Sequence, residues 1–202
     1  MDLKDDYFII ESLTKEDIND GKIFYDALSS INKYEPIHKQ VKTRKGFEKA
    51  LVEFSNSDYK YLFISAHGDE ENIQLVNENF NAYDLEGLEI DLTNRRIFMS
   101  TCRGGSFLLA KYFIKKGAYS VIGSPDNLAQ IVATGMWTTM ALVFERLNEG
   151  ALNFKQLDTT LKLMTKIYRI NLAYYSFIRD KPKMKAYKYA HNVARQRKEY
   201  PI

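Results

Sequence analysis

Two short apolar runs, YLFISA at 61–66 and IFMST at 97–101, constrain the fold of this chain more than any other feature. Neither shows the polar alternation of a strand with one face in water, so both read as central strands of a parallel sheet covered on each side. Each run ends at a chemically active side chain. His67-Gly68 follows the first, and Cys102-Arg103-Gly104-Gly105 follows the second.

Strand-like and helix-like patterns alternate around these two runs, which predicts an α/β fold with a mostly parallel sheet of about six strands and helices on both faces. YFIIESL at 7–13 reads as a strand, and Thr14 as the N-cap of a helix reaching about Ile31. A weaker strand is expected at 37–43. Phe47, Ala50, Leu51 and Phe54 then fall on one face of a helix. Downstream come a helix from Phe107 to Lys116 closed by Gly117, a third buried strand at 119–123, and a helical pattern from Ala129 to about Ile178, broken near Gly150 into two long helices. Residues 69–96 form an irregular excursion between the two central strands, the kind of connection on which α/β proteins place their sites. The expected partition is one domain over 1–180 and a basic tail over 181–202.

Charge and composition narrow the function. The chain is 45% hydrophobic and 27% charged, as in ordinary globular proteins, and no run approaches the roughly 18 to 20 apolar residues that span a bilayer. With an acidic start, MDLKDDYFII, a cytoplasmic location and no membrane partner are expected. Cys102 is the single cysteine, so it forms no internal disulfide and is free for chemistry. Residues 179–202 carry eight basic and two acidic side chains, against 21 and 24 in the rest. This segment reads as a solvated tail more readily than as a nucleic-acid contact. No phosphate-binding loop, dinucleotide fingerprint or metal-ligand spacing occurs, so no cofactor and no metal are expected, and His38 and His191 read as structural or surface residues.

Residues just past the carboxyl ends of neighbouring strands line the crevice of an open α/β sheet. If the two runs are neighbours, roughly 5 Å apart, His67 and Cys102 can act on one carbonyl, the imidazole taking the thiol proton and the thiolate attacking. Gly68 leaves its N–H accessible, and with the N–H of Cys102 it makes a candidate oxyanion hole. Gly104 and Gly105 permit a sharp turn that exposes the sulfur, and a helix starting near Ser106 would aim its positive end at the site. Asp69, Glu70 and Glu71 could orient the histidine, but read first as an exposed acidic loop.

ISAHGDEENI, with RRIFMSTCRGG placing the cysteine 35 residues after the histidine, resembles the paired blocks of caspase-like (clan CD) cysteine peptidases. The caspase cysteine signature reads Gln-Ala-Cys-(Arg/Gln/Gly)-Gly, with the histidine about 50 residues upstream. KKGAYSVIGSPDN and the helix ending FERLNEG are similar to the bacterial CHAT branch of that clan, related to caspases and separase. The resemblance covers roughly 59–150. It implies a three-layer caspase-like sandwich and a cysteine endopeptidase with His67 and Cys102 as catalytic residues, acting through a thioester on a protein or peptide substrate. It also implies substrate-binding roles for Ser100, Arg103 and Asp126.

Ser100 stands where caspases have a glutamine, so aspartate specificity is not implied. Asp126 either accepts a basic side chain, as in separases, or caps the helix expected near Leu128. The competing reading is a catalytically inactive module that binds a regulatory partner through its C-terminal helices. There Ile167, Tyr168, Leu172, Tyr174, Tyr175 and Phe177 are too many for one buried stripe. Bacterial stress or phage defence is the setting by analogy.

Overall fold

The computed structural model describes residues 3–31, 33–147, 153–178, 181–191 and 193–202, with 145–147 and 193–195 described as backbone. The predicted helix break near Gly150 lies outside the described residues. Strand β1 (Lys4–Ser12), helix α1 (Asp20–Ser29), β2 (Ile37–Gln40), α2 (Arg44–Asn56) and β3 (Tyr59–Gly68) come first. A small hairpin of β4 (Asn72–Gln74) and β5 (Asn79–Asn81) and a 3-10 turn (Ala82–Gly87) lead to β6 (Arg96–Ser100), α3 (Phe107–Lys115) and β7 (Ser120–Gly123). The chain continues through α4 (Gln130–Leu147), α5 (Phe154–Tyr168), β8 (Leu172–Phe177), β9 (Lys183–Ala190) and β10 (Val193–Pro201).

The strand order is β10-β9-β8-β7-β6-β3-β1-β2, with β4 and β5 branching from β3. From β2 to β7 the neighbours are parallel, and from β7 to β10 they are antiparallel. The two apolar runs are central parallel strands, as their composition predicts, and the strand order makes them neighbours, with Phe63 beside Phe98 and Ser65 beside Ser100. Period-2 alternation sends the two faces into separate cores. Ile9, Phe63, Phe98 and Ile122 form one row packed under α1, α4 and α5, where Trp137 meets Phe63 and Phe98 edge-on at 5.8 and 6.1 Å. Ile10, Ile64 and Met99 face the other way, toward α2, α3 and the hairpin. Each buried aromatic or aliphatic side chain contributes roughly 1.5–3 kcal/mol, so the layered arrangement rests on burial from both sides.

Helix starts follow the capping chemistry of the sequence. Thr43 Oγ1 accepts from Gly46 N at 3.2 Å at the head of α2, Ser106 Oγ accepts from Leu109 N at 3.2 Å for α3, and Asn153 with Gln156 forms a capping box for α5. Thr14 is a correction: α1 starts six residues later, at Asp20, and Thr14 turns to Asp17 instead.

The sheet has ten strands instead of about six, because three segments hid their strands. The predicted helical stretch to Ile178 ends at Tyr168, and β8 follows. Leu172 and Tyr174 enter one core while Ala173 and Tyr175 enter the other, and a strand apolar on both faces cannot be told from a buried helix by periodicity. This also answers the excess of aromatics there: Tyr174 and Tyr175 are buried, while Ile167 and Phe177 stay exposed. The basic segment 181–202 is not a solvated tail but supplies β9 and β10. Met184 and Ala186 pack into one core and Tyr187 and Tyr189 into the other, a pattern obscured by the lysines between them. The third is the excursion 69–96, which holds the β4–β5 hairpin. Among the described residues, no helix is long and apolar enough to cross a membrane.

Candidate active site

The row above Phe63 and Phe98 turns polar. Glu11 of β1, Ser65 of β3 and Ser100 of β6 stand side by side at the carboxyl ends of three parallel strands, all buried. Asp20, at the first turn of α1, accepts a hydrogen bond from the hydroxyl of Ser65 on one oxygen and from that of Ser100 on the other. Glu11 accepts from the N–H groups of Gly21 (2.8 Å) and Lys22 (3.3 Å), satisfying donors that a helix start leaves open, and pairs with His38 Nε2 at 2.9 Å. Burial, joined by the nearby Glu11 carboxylate, pushes Asp20 up to about 6, against the two serine hydrogen bonds. His38 is thus partly buried and paired with Glu11.

One residue pair further up this polar floor lie the two expected catalytic side chains. His67 is the penultimate residue of β3, with its side chain half exposed, and its Nε2 lies 3.0 Å from Asp17 Oδ1. Asp17 is held on every side: Thr14 donates to Oδ2 through its N–H (2.9 Å) and its hydroxyl (2.8 Å), and Gln130 Nε2 donates to Oδ1 at 3.2 Å. The amide oxygen of Gln130 in turn accepts from Ile18 N at 3.3 Å. Slight burial raises the Asp17 carboxyl, but the hydrogen bonds from Thr14, His67 and Gln130 outweigh it and bring the group down to about 2.

The Cys102 sulfur lies against the backbone that precedes α4, with Leu128 N at 3.4 Å and Leu128 O at 3.6 Å. That N–H, two residues before α4 begins, can donate to the sulfur. The sequence expected α3 in this role; Ser106 does cap α3, but the contact of the sulfur is with the segment before α4. Among the described residues His67 and Cys102 share no hydrogen bond, since the imidazole is turned to Asp17 and the thiol to Leu128.

The two blocks nevertheless touch through their backbones. A Cβ on Gly68 would stand 3.2 Å from the Cys102 carbonyl oxygen, 3.2 Å from Thr101 Cβ and 3.0 Å from the Asn72 carbonyl oxygen, so only glycine lets the strand end lie this close to the cysteine turn. The turn itself is fixed from the segment after β7: Arg103 N donates to Asp126 O at 3.0 Å and Gly105 N to Ser124 O at 2.8 Å. A Cβ on Gly105 would stand 2.4 Å from Gly123 O. Arg103 sits in the left-handed region at φ 54°, an uncommon conformation for a residue with a side chain. The Cys102 N–H has no acceptor among the described residues.

The remaining sequence candidates are distributed around this centre. Ser100 is buried and its hydroxyl is committed to Asp20. Arg103 is exposed and reaches Glu70 Oε1 at 3.2 Å, while Glu70 O accepts from Ser106 Oγ at 2.7 Å, tying the histidine loop to the cysteine turn. Asp126 is exposed at the rim and accepts from Asn171 Nδ2 at 2.6 Å; α4 begins four residues later, at Gln130, so Asp126 is not its cap. Asp69 folds back on Glu71 N and Asn72 N, both at 2.8 Å. The partner of the histidine is Asp17, which sequence reasoning missed. The sequence offered Thr14 as a helix cap, and no local spacing joins Asp17 to a histidine 50 residues away.

No family model and no curated protein matches the chain.

Proposed function

We propose that this chain is a cysteine endopeptidase of the caspase-like kind, cleaving protein or peptide substrates with His67 as base and Cys102 as nucleophile. The observation that carries the reading is the register of β3 and β6: Ser65 lies beside Ser100, so His67 and Cys102 stand two residues beyond the same rung, with Gly68 packed on the cysteine turn. Two arbitrary polar residues have no physical reason to be matched in this way.

The chemistry follows from that placement. The imidazole removes the thiol proton as the sulfur attacks the scissile carbonyl carbon, and the carbonyl electron pair moves to oxygen, where the Cys102 and Gly68 N–H groups are the proposed donors. Collapse of this intermediate breaks the C–N bond, the imidazolium returns its proton to the leaving amine, and a thioester remains. Water, deprotonated by the same imidazole, attacks the thioester; C–S cleavage releases the acid, and the proton returns to sulfur. The rim carries Asp126 and Glu70 beside Arg103, which supports a preference for a basic residue before the scissile bond, with Asp126 as its contact and Arg103 shaping the pocket; Ser100, buried and bonded to Asp20, lies beneath the site and not in the pocket.

A second reading, an interaction module without catalysis, is favoured by Ile131 and Leu142 on α4 and Leu163 and Ile167 on α5, all exposed. Peptide acyloxymethyl ketones that vary in the residue next to the warhead separate the two, read by intact mass. The peptidase reading requires a single adduct on Cys102 that depends on peptide sequence and disappears in His67→Ala. Labelling that ignores the peptide, or none at all, would leave the module.

A further inference from the structure

The sequence offered His67 and Cys102 as a pair, but the structure sets Asp17 against the histidine and holds Asp17 with Thr14 and Gln130. His67 Nε2 meets Asp17 Oδ1 at 3.0 Å, and that same oxygen accepts from Gln130 Nε2 at 3.2 Å, while the second oxygen is closed by Thr14 at 2.8 and 2.9 Å. Asp17 lies on the β1–α1 connection, and Gln130 is the first residue of α4. Leu128, whose N–H meets the Cys102 sulfur, is two residues before Gln130 on the same segment. The clamp on the imidazole and the contact on the thiol therefore share one short piece of chain.

We propose that Asp17 is a positioning residue for His67, fixing its Nε2 as the donor and its Nδ1 as the proton acceptor, and that Gln130 locks this pair to the segment holding the Cys102 sulfur. The proposal rests on the peptidase reading and deepens it from a dyad to a supported base. An acceptor on one ring nitrogen decides which nitrogen carries the proton. Nδ1 has no hydrogen-bond partner among the described residues, so it is the nitrogen left to take the thiol proton. When Nδ1 gains that proton the ring becomes cationic, and an ionised carboxylate 3.0 Å from Nε2 stabilises it where the ion pair forms. The Asp17 carboxyl, brought down to about 2, is charged across the whole working range. Its oxygens already have all their donors, so little reorganisation accompanies the proton transfer.

Cys102 is the single cysteine, so iodoacetamide alkylation followed by intact mass reports on it alone and needs no substrate. Asp17→Ala and the isosteric Asp17→Asn should each slow alkylation at pH 7 by about 10-fold or more in the otherwise native chain, and Gln130→Ala by less. In a His67→Ala background the same Asp17 changes should have no further effect, because a positioning residue acts only through the residue it positions. In cleavage assays the loss should fall on kcat with KM within about threefold, and Asp17→Glu should recover part of it. Equal slowing in both backgrounds, or no slowing in either, overturns the role of Asp17. If His67→Ala itself leaves alkylation unchanged, the dyad reading fails first and Asp17 fails with it. Asp17→Asn, which keeps shape and the Thr14 contacts, guards against a variant that merely fails to fold.

Discussion

Ser100, two residues ahead of Cys102, donates its hydroxyl to Asp20 at the first turn of α1, and Ser65, two residues ahead of His67, donates to the other oxygen of the same carboxylate. One buried side chain thus binds the rungs beneath both catalytic candidates to a helix from the other end of the sequence. Its titration should be visible in stability. The Asp20 carboxyl stands at about 6 when folded, above its ordinary 3.8, so the protonated form favours folding below about pH 4 and that contribution is lost as the pH rises through 6. Asp20→Asn removes the titration. Urea unfolding of both proteins should show the variant gaining roughly 1 to 3 kcal/mol on the wild type between pH 4 and 7, then levelling off. A difference that stays constant over this range would rule out Asp20 as the titrating group.

Cys102→Ala should abolish peptide hydrolysis while lowering the melting temperature by only a few degrees. The sulfur is half-buried and makes two weak backbone contacts, so its removal costs about 1 kcal/mol. Thermal melts alongside a cleavage assay check this, and a collapse of the fold would mark the thiol as a packing element instead.

Gly68→Ala tests the contact between the histidine and cysteine blocks. The new methyl group meets two backbone carbonyl oxygens and Thr101 Cβ at 3.0–3.2 Å, and backbone cannot rotate aside, so the cysteine turn must shift by a few tenths of an ångström. Activity should drop about 10-fold or more while stability falls by only about 1 kcal/mol, since small displacements weigh more on reacting geometry than on packing. Unchanged kcat/KM with the same Tm would show that the close approach is irrelevant to turnover.

Asp126→Asn should reduce kcat/KM for substrates with Arg or Lys before the scissile bond by about 10- to 100-fold, with a smaller effect on neutral ones, because a carboxylate contacts a cation far more strongly than an amide does. A substrate-library profile of both proteins decides it. An identical preference would remove Asp126 from the pocket.

Much of this was legible in the chain. The two apolar runs announced buried parallel strands because burial on both faces leaves no room for polar residues at 61–64 or 97–99, and Ser106 stands where the sequence starts α3; that the runs are neighbours came from the sheet order. The placement of His67 and Cys102 on strand ends followed from the same local signals. β8 and β9 were not legible: an unbroken apolar stretch fits helix or strand equally, and lysines between buried residues resemble a solvated segment until a neighbouring strand gives them an edge to pair with.

By itself the sequence determined the buried parallel strands at the centre of the sheet and the positions of the histidine and cysteine at their carboxyl ends, since each depends on local composition and spacing. The tertiary structure alone decided what surrounds them. Asp17 lies 50 residues from His67 and Gln130 lies 113 from Asp17; Asp20 is 80 from Ser100. Hydrogen bonds between such distant side chains arise only once parallel register and helix docking have brought their strands and helices together, and no periodicity along the chain encodes them.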